Sequence, residues 1–463
     1  MEQYDVIIVG AGPAGIFAAM TLKEDHPDLK VAIFEKGNPI EKRICPKRRT
    51  GKCVGCRPCN ITTGFAGAGA FSDGKLSLSP DVGGELAEVL GYGETQDLIR
   101  EVDQVYLRFG AGEQVYGLDQ PDKIRAIRKK AIENDLKLIE CPIRHLGTEV
   151  GFGIYQKIEK HIVEELGVTI HFRTPITGFI IENGQVRGVR TAEGEARGNK
   201  VLVAVGREGS QWLSDQCDRN DIAADVGKVD IGVRLETRNE IMEEINQCLY
   251  EGKLVYYTPT FDDCVRTFCS NPGGIVSTEY YDGDLAVVNG HSYKAQDKKT
   301  DNTNFALLVS KGFTKPFNEP LSYGRHIAHL ANMLTGGRIL VQRYGDFTRG
   351  RRTTEARMTR SNIVPTLADA VPGDLGLVLP YRIMKDIDEM IVALDKVSPG
   401  LASEETLLYG VEVKFYSNRI AVDKSFQTNV EELYVMGDGA GITRGLMQAS
   451  ANGVYVARHL FDE

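Results

Sequence analysis

The segment YDVIIVGAGPAGIFAAMTLKE, residues 4–24, decides the fold. Its apolar start predicts a short buried strand, and the alanine-rich run after the glycines predicts a helix. The turn between them has the spacing G-x-G-x-x-G. In such a turn the first glycine permits a sharp bend, the second lets the backbone approach a pyrophosphate, and the third lets the helix pack closely on the strand. The segment therefore predicts a dinucleotide site made by Gly10, Gly12, Pro13, Ala14 and Gly15.

A second strand and an acidic residue follow at the distance that this site requires. The apolar segment KVAIFEK spans residues 30–36, and its glutamate, Glu35, lies 20 residues after Gly15. An acidic residue at this point accepts hydrogen bonds from the hydroxyl groups of a nucleotide ribose. We therefore add Glu35 and the adjacent Lys36 to the predicted cofactor site. These segments alone leave both FAD and NAD possible.

Two later segments predict strands that return to the same site. NKVLVAVGREGS, residues 199–210, is a buried-type strand that ends at Gly206, and it follows strand-like segments joined by Asn-Gly and Glu-Gly turns. NVEELYVMGDGAGITRGLMQASANGVYVARHL, residues 429–460, is a strand, a Gly-Asp pair, a glycine-rich turn and a helix. No second G-x-G-x-x-G follows a strand in the sequence. A separate NAD(P)H-binding domain is therefore not expected.

This order of segments resembles the FAD domain of the flavoprotein superfamily that includes glutathione reductase and p-hydroxybenzoate hydroxylase. The resemblance implies FAD as the cofactor. It also implies that Asp438, which follows Gly437, binds the ribityl chain, and that the backbone at Gly445 and Leu446 faces the flavin pyrimidine ring. The physical chemistry agrees, because a helix N-terminus stabilises negative charge on a reduced flavin. The alternative for Asp438 is an ordinary helix-capping role.

A stretch dense in glycine and alanine, CNITTGFAGAGAFSDGKLSL, spans residues 59–78. Glycines at this density suit backbone that is pressed against a ligand. The strings TTGFAGAGAFSDGKL, CPIRHLGTE and GDGAGITRG, with the N-terminal fingerprint, resemble the uncharacterised FAD-dependent dehydrogenases of the same superfamily over essentially the whole chain. The resemblance implies that the stretch returns to the flavin and that Gly67, Gly69 and Ala70 contact the cofactor.

Four of the nine cysteines lie close together, with the spacing C-x7-C-x2-C-x2-C, at Cys45, Cys53, Cys56 and Cys59. Gaps of two residues let thiolates converge on one metal ion or cluster. Basic residues surround them, and positive charge lowers thiol pKa values and offsets an anionic cluster: Lys42, Arg43, Lys47, Arg48, Arg49, Lys52 and Arg57. The pattern predicts an iron–sulfur cluster, with zinc second. A redox-active cysteine pair and free thiols in a loop are the alternatives.

The middle of the chain has a different pattern. Strand-like runs and two amphipathic segments predict an antiparallel sheet covered by helices, which the resemblance implies is a substrate domain. The segment RGRRTTEARMTR, residues 349–360, holds five arginines and favours an anionic substrate group. Arg357 and Arg360 are interpreted as solvated helix positions. The candidate catalytic residues are Arg351 and two possible proton donors, Tyr281 and His291.

The predicted fold class is α/β, with a Rossmann-like FAD-binding domain and an inserted α+β substrate domain. The FAD-binding domain is predicted from residues 1–210, which include the cysteine- and glycine-rich loop 45–78, and from residues 405–463. The substrate domain is predicted between them, at residues 211–404. This division requires the two ends of the chain to meet at one cofactor.

The predicted function is an FAD-dependent oxidoreductase that acts on a C–C or C–N bond of a small, anionic organic molecule. NAD(P)H or a redox protein is the expected electron donor or acceptor. A flavin monooxygenase and an FAD-dependent RNA-modifying protein are the alternatives, although the net charge of −9 disfavours nucleic acid. The N-terminus lacks the pattern of a signal peptide and no apolar run reaches the length of a membrane span, so a cytoplasmic location without membrane contact is expected.

Overall fold

A computed structural model describes residues 3–46, 54, 56–72, 74–225, 227–249, 251–281, 285–292, 296–317, 319–416 and 418–462. The strands are β1 (Gln3–Val9), β2 (Val31–Glu35), β3 (Lys75–Ser77), β4 (Leu136–Ile139), β5 (Ile143–His145), β6 (Thr169–Phe172), β7 (Ile176–Glu182), β8 (Gln185–Thr191), β9 (Glu195–Val203), β10 (Ala224–Asp225), β11 (Val229–Arg238), β12 (Lys253–Tyr257), β13 (Cys264–Pro272), β14 (Ile275–Tyr281), β15 (Leu285–His291), β16 (Asn302–Lys311), β17 (Leu340–Arg343), β18 (Val371–Pro372), β19 (Leu407–Phe415), β20 (Arg419–Ile420) and β21 (Leu433–Val435). The α-helices are α1 (Pro13–Asp25), α2 (Leu86–Leu90), α3 (Tyr92–Arg108), α4 (Pro121–Ile132), α5 (Thr148–Lys160), α6 (Ser210–Arg219), α7 (Asn239–Cys248), α8 (Pro320–Thr335), α9 (Tyr344–Thr348), α10 (Glu355–Met358), α11 (Tyr381–Val397) and α12 (Leu446–Arg458). No helix within these described ranges has both the length and the apolar composition needed to cross a bilayer.

The chain forms two compact units. The first unit contains Met1–Val115, Ile143–Gly227 and Ser417–Glu463, so it is assembled from both ends of the sequence. The second unit contains Tyr116–Pro142 and Lys228–Tyr416. The fold class is α/β, as predicted.

The first unit is built on a seven-stranded sheet in the order β6-β2-β1-β9-β8-β7, with β21 also paired to β9. The pairs β6–β2, β2–β1, β1–β9 and β9–β21 are parallel, whereas β7, β8 and β9 form an antiparallel meander. The side chains of β2 are buried along its whole length, which explains its uninterrupted apolar sequence. The carboxyl ends of the parallel strands therefore lie at one edge of the sheet, where open α/β sheets bind their ligands.

Two helices of the first unit cross at very close range. A methyl group added at Gly453 in α12 would lie 2.1 Å from the carbonyl oxygen of Ala14 in α1. A methyl group added at Gly15 would lie 2.1 Å from the carbonyl oxygen of Gly10, where α1 leaves its strand. Both glycines are required by packing. The helix near the C-terminus is in this way fixed against the N-terminal turn.

The second unit is built on an eight-stranded sheet in the order β18-β17-β19-β11-β16-β13-β12-β4. Its pairs are antiparallel, apart from the short parallel pair β17–β18. One face of β11 carries Val229, Ile231, Val233 and Leu235, which share a core with residues of α8 and α11. The predicted antiparallel sheet and the two predicted helices are thus present.

The unit boundaries differ from the predicted domain boundaries at three places. Residues 116–142, predicted in the FAD-binding domain, belong to the second unit because β4 pairs with β12 as the edge strand of its sheet. Residues 405–416 also belong to the second unit, since β19 pairs with both β11 and β17. Residues 211–227, predicted in the substrate domain, belong to the first unit. Each difference comes from a pairing or packing partner far away in the sequence.

The pKa values of two carboxylates in the second unit are shifted in opposite directions. Asp386 of α11 is fully buried, accepts a hydrogen bond from the Thr258 hydroxyl at 2.8 Å and lies 3.5 Å from the Lys311 ammonium. Burial, together with the neighbouring Asp263 carboxylate, raises the pKa of Asp386 to about 6. Hydrogen bonds from Arg382 and Lys311 outweigh the effect of burial on Asp263 and hold its pKa below the usual range. Ionisation of Asp386 therefore destabilises the folded protein.

We expect an Asp386→Asn variant to remove a pH dependence of stability between about pH 4 and pH 6. The folded pKa of Asp386 lies above its ordinary value of 3.8, so its contribution is present at low pH and is lost as the pH rises through about 6. The wild type should lose about 1–3 kcal/mol of unfolding free energy across that window, and the variant should not. Urea unfolding at several pH values measures this. The control is Asp262→Asn, at an exposed position in the turn between Thr258 and Asp263. An identical pH profile of stability for the wild type and Asp386→Asn would contradict the assignment.

Candidate functional site

The glycine turn after β1 has the geometry of a phosphate-binding turn. Gly10 has φ +102°, a value that L side chains rarely adopt, and its N–H donates to the Phe34 carbonyl oxygen at 2.8 Å. A methyl group added at Gly12 would find only the Ala204 carbonyl oxygen nearby, at 3.9 Å. Helix α1 begins at Pro13, so the N–H groups of its first turn have no partner four residues earlier within the helix. The open face at Gly12 and these donors form a cradle for an anion.

The ends of three neighbouring strands meet at this turn. A methyl group at Gly10 would lie 2.6 Å from the Ala204 carbonyl oxygen, which follows β9. The backbone of Gly206 lies next to Gly439, because a methyl group at Gly439 would lie 2.8 Å from the Gly206 oxygen. A methyl group at Gly437 would lie 3.1 Å from the side chain of Ala14. The structure thus brings together the three glycine-rich segments that the sequence placed in one site.

The stretch of residues 64–70, here called the Gly–Ala loop, packs against the same turn. The Ala66 N–H donates to the Ala11 carbonyl oxygen at 2.7 Å, with Ala66 at φ +67°. A methyl group at Gly67 would lie 3.5 Å from the Gly12 α-carbon. One at Gly69 would lie 2.7 Å from the side chain of Leu446, the first residue of α12. The loop therefore lies between the first turns of α1 and α12, with Ala70 buried at its end.

Asp438 organises the turn that leads into α12. Its carboxylate accepts hydrogen bonds from the Thr443 hydroxyl at 2.8 Å and from the Gly445 N–H at 3.1 Å. The Arg207 guanidinium lies 3.7 Å away, and the Asp438 side chain is 15% exposed. Burial raises the pKa of Asp438 above its ordinary value, although Arg207 and these hydrogen bonds oppose the shift. The capping contacts are thus present, and the side chain keeps a small exposed part.

Glu35 makes three hydrogen bonds to backbone. Its carboxylate accepts from the N–H groups of Ala11 at 2.9 Å, Gly37 at 2.7 Å and Gly64 at 3.1 Å, and the residue is 5% exposed. A carboxylate has about four lone-pair sites, so three are filled. The ribose role remains a prediction, with about one site left for a hydroxyl group. The sequence does not predict the hydrogen bond between Glu35 and the N–H of Gly64 in the Gly–Ala loop.

A basic cavity of about 360 Å³ opens where β2 and β6 end. It is lined by Lys36, Gly37, Asn38, Cys56, Arg57, Pro58, Asn60 and Arg173. Lys36 also lies 3.5 Å from the Glu208 carboxylate. The cavity follows directly on Glu35 and has three cationic side chains in its lining. A second cavity, of about 500 Å³, lies in the second unit, and none of the predicted site residues lines it: Thr237, Arg238, Glu240, Ile241, Asn362, Ile363, Gly400 and Ser403.

The cysteine cluster receives no support as a metal centre. Cys45 and Cys56 are half-buried and Cys59 is exposed, all as free thiols, whereas Cys53 lies outside the described residues. Among the residues that are described, no group of three or more His, Cys, Asp or Glu side chains is placed to hold a metal ion. Cys56 instead lines the basic cavity next to Glu35.

The candidate catalytic residues all belong to the second unit. Tyr281 ends β14, with its ring centroid 5.0 Å from that of Phe415, and His291 ends β15 on the surface. Arg351 donates at 2.7 Å to Asp346, which is fully buried. Nothing in these contacts brings the three side chains together.

The arginine-rich segment is partly neutralised by acidic residues. Arg357 donates at 3.0 Å to the second oxygen of Asp346, and Arg349 pairs with Glu404. The interpretation of Arg357 as a solvated position is therefore wrong, because Asp346 draws its guanidinium inward. Arg352 and Arg360 are exposed.

Comparisons with known proteins agree with the two units. Residues 228–415 match a family model described as FAD-dependent protein, C-terminal domain-like, and residues 1–40 match the Thi4 family. The chain is 27% identical over 481 residues to an uncharacterized protein of Clostridium beijerinckii, covering 99% of this chain and 80% of that protein. The match to the C-terminal domain-like model begins at Lys228, the first residue of the main segment of the second unit, and ends one residue before Tyr416, the last residue of that segment.

Among solved structures, the chain matches L-proline dehydrogenase from P. horikoshii with 13% identity, a TM-score of 0.38, and coverage of 99% of this chain and 94% of that one. Glycine oxidase from Bacillus cereus has 14% identity and a TM-score of 0.37, with coverage of 99% and 97%. These distant similarities carry no information about the substrate. The similarity of residues 228–415 to the C-terminal domain of FAD-dependent proteins, together with the Rossmann-like unit built from both ends of the chain, supports an FAD-dependent oxidoreductase.

Proposed function

We propose that the first unit binds one FAD along the edge where β1, β9 and β21 end, and that the protein oxidises or reduces a C–C or C–N bond of a small organic molecule. The observation that supports this most strongly is the open cradle at Gly12, which a single methyl group would enter, beside the first turn of α1. Backbone donors around an open face fit a pyrophosphate. FAD supplies the two-electron transfer chemistry.

The residues around the cradle give each part of the cofactor a partner. In this proposal the first turn of α1, with Gly12, Pro13, Ala14 and Gly15, holds the pyrophosphate, and the basic cavity after Glu35 takes the adenosine end. Asp438 binds the ribityl chain. The start of α12 at Leu446 stabilises negative charge on the reduced flavin, because the N–H groups of its first turn point out of the helix.

The second unit is the proposed substrate domain, and a small carboxylate or phosphate is the proposed substrate group. Because Asp346 already pairs with Arg351 and Arg357, the exposed Arg352 is the better candidate for an anion. Tyr281 and His291 remain the proposed proton donors. The four-cysteine metal centre is not part of the proposal, because FAD alone supplies the electron transfer.

Reduction of the FAD-loaded protein by NADH or NADPH, followed by absorbance without and then with oxygen, tests the reaction class. A dehydrogenase or reductase should exchange electrons with an organic substrate without consuming oxygen. A monooxygenase should consume oxygen and NAD(P)H in step with product, and retention of RNA on the purified protein would favour the RNA-modifying alternative. Either of the last two outcomes would contradict the proposed function.

We expect Asp438→Asn to weaken FAD binding by about 10- to 100-fold. The variant loses a charge-assisted acceptor, a contribution of about 1.5–3 kcal/mol. In addition, the Gly445 N–H is shared between both carboxylate oxygens, one of which an NH2 donor would replace. A titration of apoprotein with FAD, followed by flavin fluorescence, measures the change. Asp423→Asn, in a surface turn of the same unit where Asp423 accepts from Ser425, is the matched control, and unchanged affinity in Asp438→Asn would contradict the ribityl role.

A further inference from the structure

We propose that Glu35 and Arg43 form a charged clamp that fixes the Gly–Ala loop over the phosphate-binding turn and sets the rate at which FAD leaves. This inference rests on the proposed FAD site. It concerns two buried side chains that bind backbone groups of the loop. The sequence predicts Glu35 only as a ribose ligand and Arg43 only as one of the basic residues around the cysteines.

The acidic half of the clamp binds N–H groups from three segments. Glu35 connects Ala11 of the glycine turn, Gly37 at the end of its own strand, and Gly64 at the start of the Gly–Ala loop. Since one carboxylate accepts from both the turn and the loop, it fixes their separation. The residue is 5% exposed, so water competes little for these bonds.

The basic half binds carbonyl groups of the same loop and of the residues before it. The Arg43 guanidinium donates to the carbonyl oxygens of Asn60 at 3.0 Å, of Ile61 at 2.7 Å and of Phe65. It also lies 4.9 Å from the centroid of the Phe71 ring, and the residue is 2% exposed. One planar cation thus holds three separate carbonyl groups, which suits its fork of fixed donors.

Glu35 and Arg43 bind backbone groups of two consecutive residues at the start of the loop, Gly64 and Phe65. Glu35 accepts from the N–H of Gly64, and Arg43 donates to the carbonyl oxygen of Phe65, the next residue. Gly64 has φ +116°, and a methyl group there would lie 2.8 Å from Arg43 Cδ and 2.6 Å from the Asn38 oxygen. The start of the loop therefore fits against the clamp with no room for a side chain.

The clamp holds the charged form of Arg43 in a place where burial is unfavourable to it. Burial lowers the pKa of Arg43 to about 10, while the charge of Glu35 acts in the opposite direction. The guanidinium is therefore still charged at neutral pH. A buried cation that donates to three backbone carbonyl groups orders the loop before any ligand arrives.

The location of the loop gives the clamp its consequence for the cofactor. The clamped segment continues through Ala66, bonded to Ala11, to Gly67, which packs beside Gly12, and on to Gly69 beside Leu446. Because the loop borders both Gly12 and the start of α12, a cofactor bound at these two places also borders the loop. A fixed loop slows release, whereas a loop freed at residues 60–65 can move aside.

The experiment measures FAD release from Arg43→Met and Arg43→Lys, because Arg43 is buried and holds the loop and the residues before it through three backbone carbonyl groups. Loaded protein is mixed with an excess of an unrelated apoflavoprotein that captures free FAD, and flavin fluorescence gives the rate. We expect release to be at least about tenfold faster in Arg43→Met, and intermediate in Arg43→Lys, whose ammonium keeps the charge but reaches fewer carbonyls. Hydrogen exchange of residues 60–71 in the apoprotein should rise in the same order.

Coupling between the two halves gives a second readout. Glu35→Gln should also speed release, and its combination with Arg43→Lys should change the rate by less than the product of the single effects, because both act on one loop. Arg187→Met, at an exposed position of β8 in the same unit, is the control and should release FAD at the wild-type rate.

The outcomes separate this inference from the proposed function. Wild-type protein that takes up no FAD would overturn the proposed function and, with it, the clamp. Wild-type protein that binds FAD, with unchanged release and unchanged loop exchange in Arg43→Lys, would overturn the clamp alone. If Arg43→Met does not fold, the release rate and loop exchange of Arg43→Lys decide.

Discussion

A Gly12→Val variant is expected to fold and to lose FAD affinity by about 100-fold or more, which corresponds to about 2.7 kcal/mol of binding free energy. The structure separates folding from binding at this position. A methyl group at Gly12 meets no protein atom closer than 3.9 Å, so the valine would enter the cradle and not the core. Titration of refolded apoprotein with FAD, with circular dichroism as the check on folding, measures the effect.

Two other glycines make this test specific. Gly15→Val should disrupt folding itself, because a methyl group there would lie 2.1 Å from the Gly10 oxygen. Gly93→Val, at an exposed position in the first turn of α3 with no atom within 4 Å, should leave both folding and FAD binding unchanged. A Gly12→Val protein that binds FAD like the wild type would show that the pyrophosphate lies elsewhere.

Within the second unit, Arg234→Met is expected to cause a large loss of stability. Arg234 and Glu412 are both fully buried and make two hydrogen bonds of 2.8 Å, and Arg234 also donates to Asn304 at 2.9 Å. Removing the arginine leaves a buried carboxylate with Lys414, 3.2 Å away, as its remaining cation. The expected cost is about 3–5 kcal/mol, measured by urea unfolding.

A double variant shows whether the pair itself stabilises the unit. Arg234→Met combined with Glu412→Leu should recover much of the lost stability, because the unpaired carboxylate is removed and Lys414 keeps Glu279, 3.8 Å away, as a partner. Arg238→Met, on the same strand, is the control: its side chain is 33% exposed and its ion pairs lie at the surface, so the loss should stay below about 1 kcal/mol. Equal losses for Arg234→Met and Arg238→Met would contradict the importance of burial.

The parts of the fold that the sequence predicts are those whose signals are local. The glycine turn after β1 combines strand, turn and helix within about 20 residues, and each glycine has one steric reason to be there. The Gly-Asp turn before α12 has the same character. Strand-like apolar runs likewise predict the sheet of the second unit, whose central strands β11, β16 and β19 are buried along almost their whole length.

The parts that the sequence does not predict depend on partners far away in the chain. Residues 116–142 join the second unit through the pairing of β4 with β12, and nothing in LKLI indicates to which sheet that strand belongs. Arg357 turns toward Asp346, eleven residues earlier, although its local pattern is that of a solvated helix.

Arg43 illustrates the same limit within the candidate site. Among seven basic residues its neighbours suggest a diffuse positive charge, and only the folded loop shows that its guanidinium holds three carbonyls. A buried arginine just after a βαβ unit and ahead of a glycine-rich loop has no spacing rule in sequence. Its partners are backbone atoms, which every residue has.

Hydrogen exchange of the whole chain, measured with and without FAD, tests the central claim most directly. The account predicts that FAD protects residues 10–16, 64–70, 205–209 and 437–447 together, because these four segments meet at one cradle in the first unit. Protection confined to the second unit, or to only one of the four segments, would contradict a single FAD site assembled from both ends of the chain.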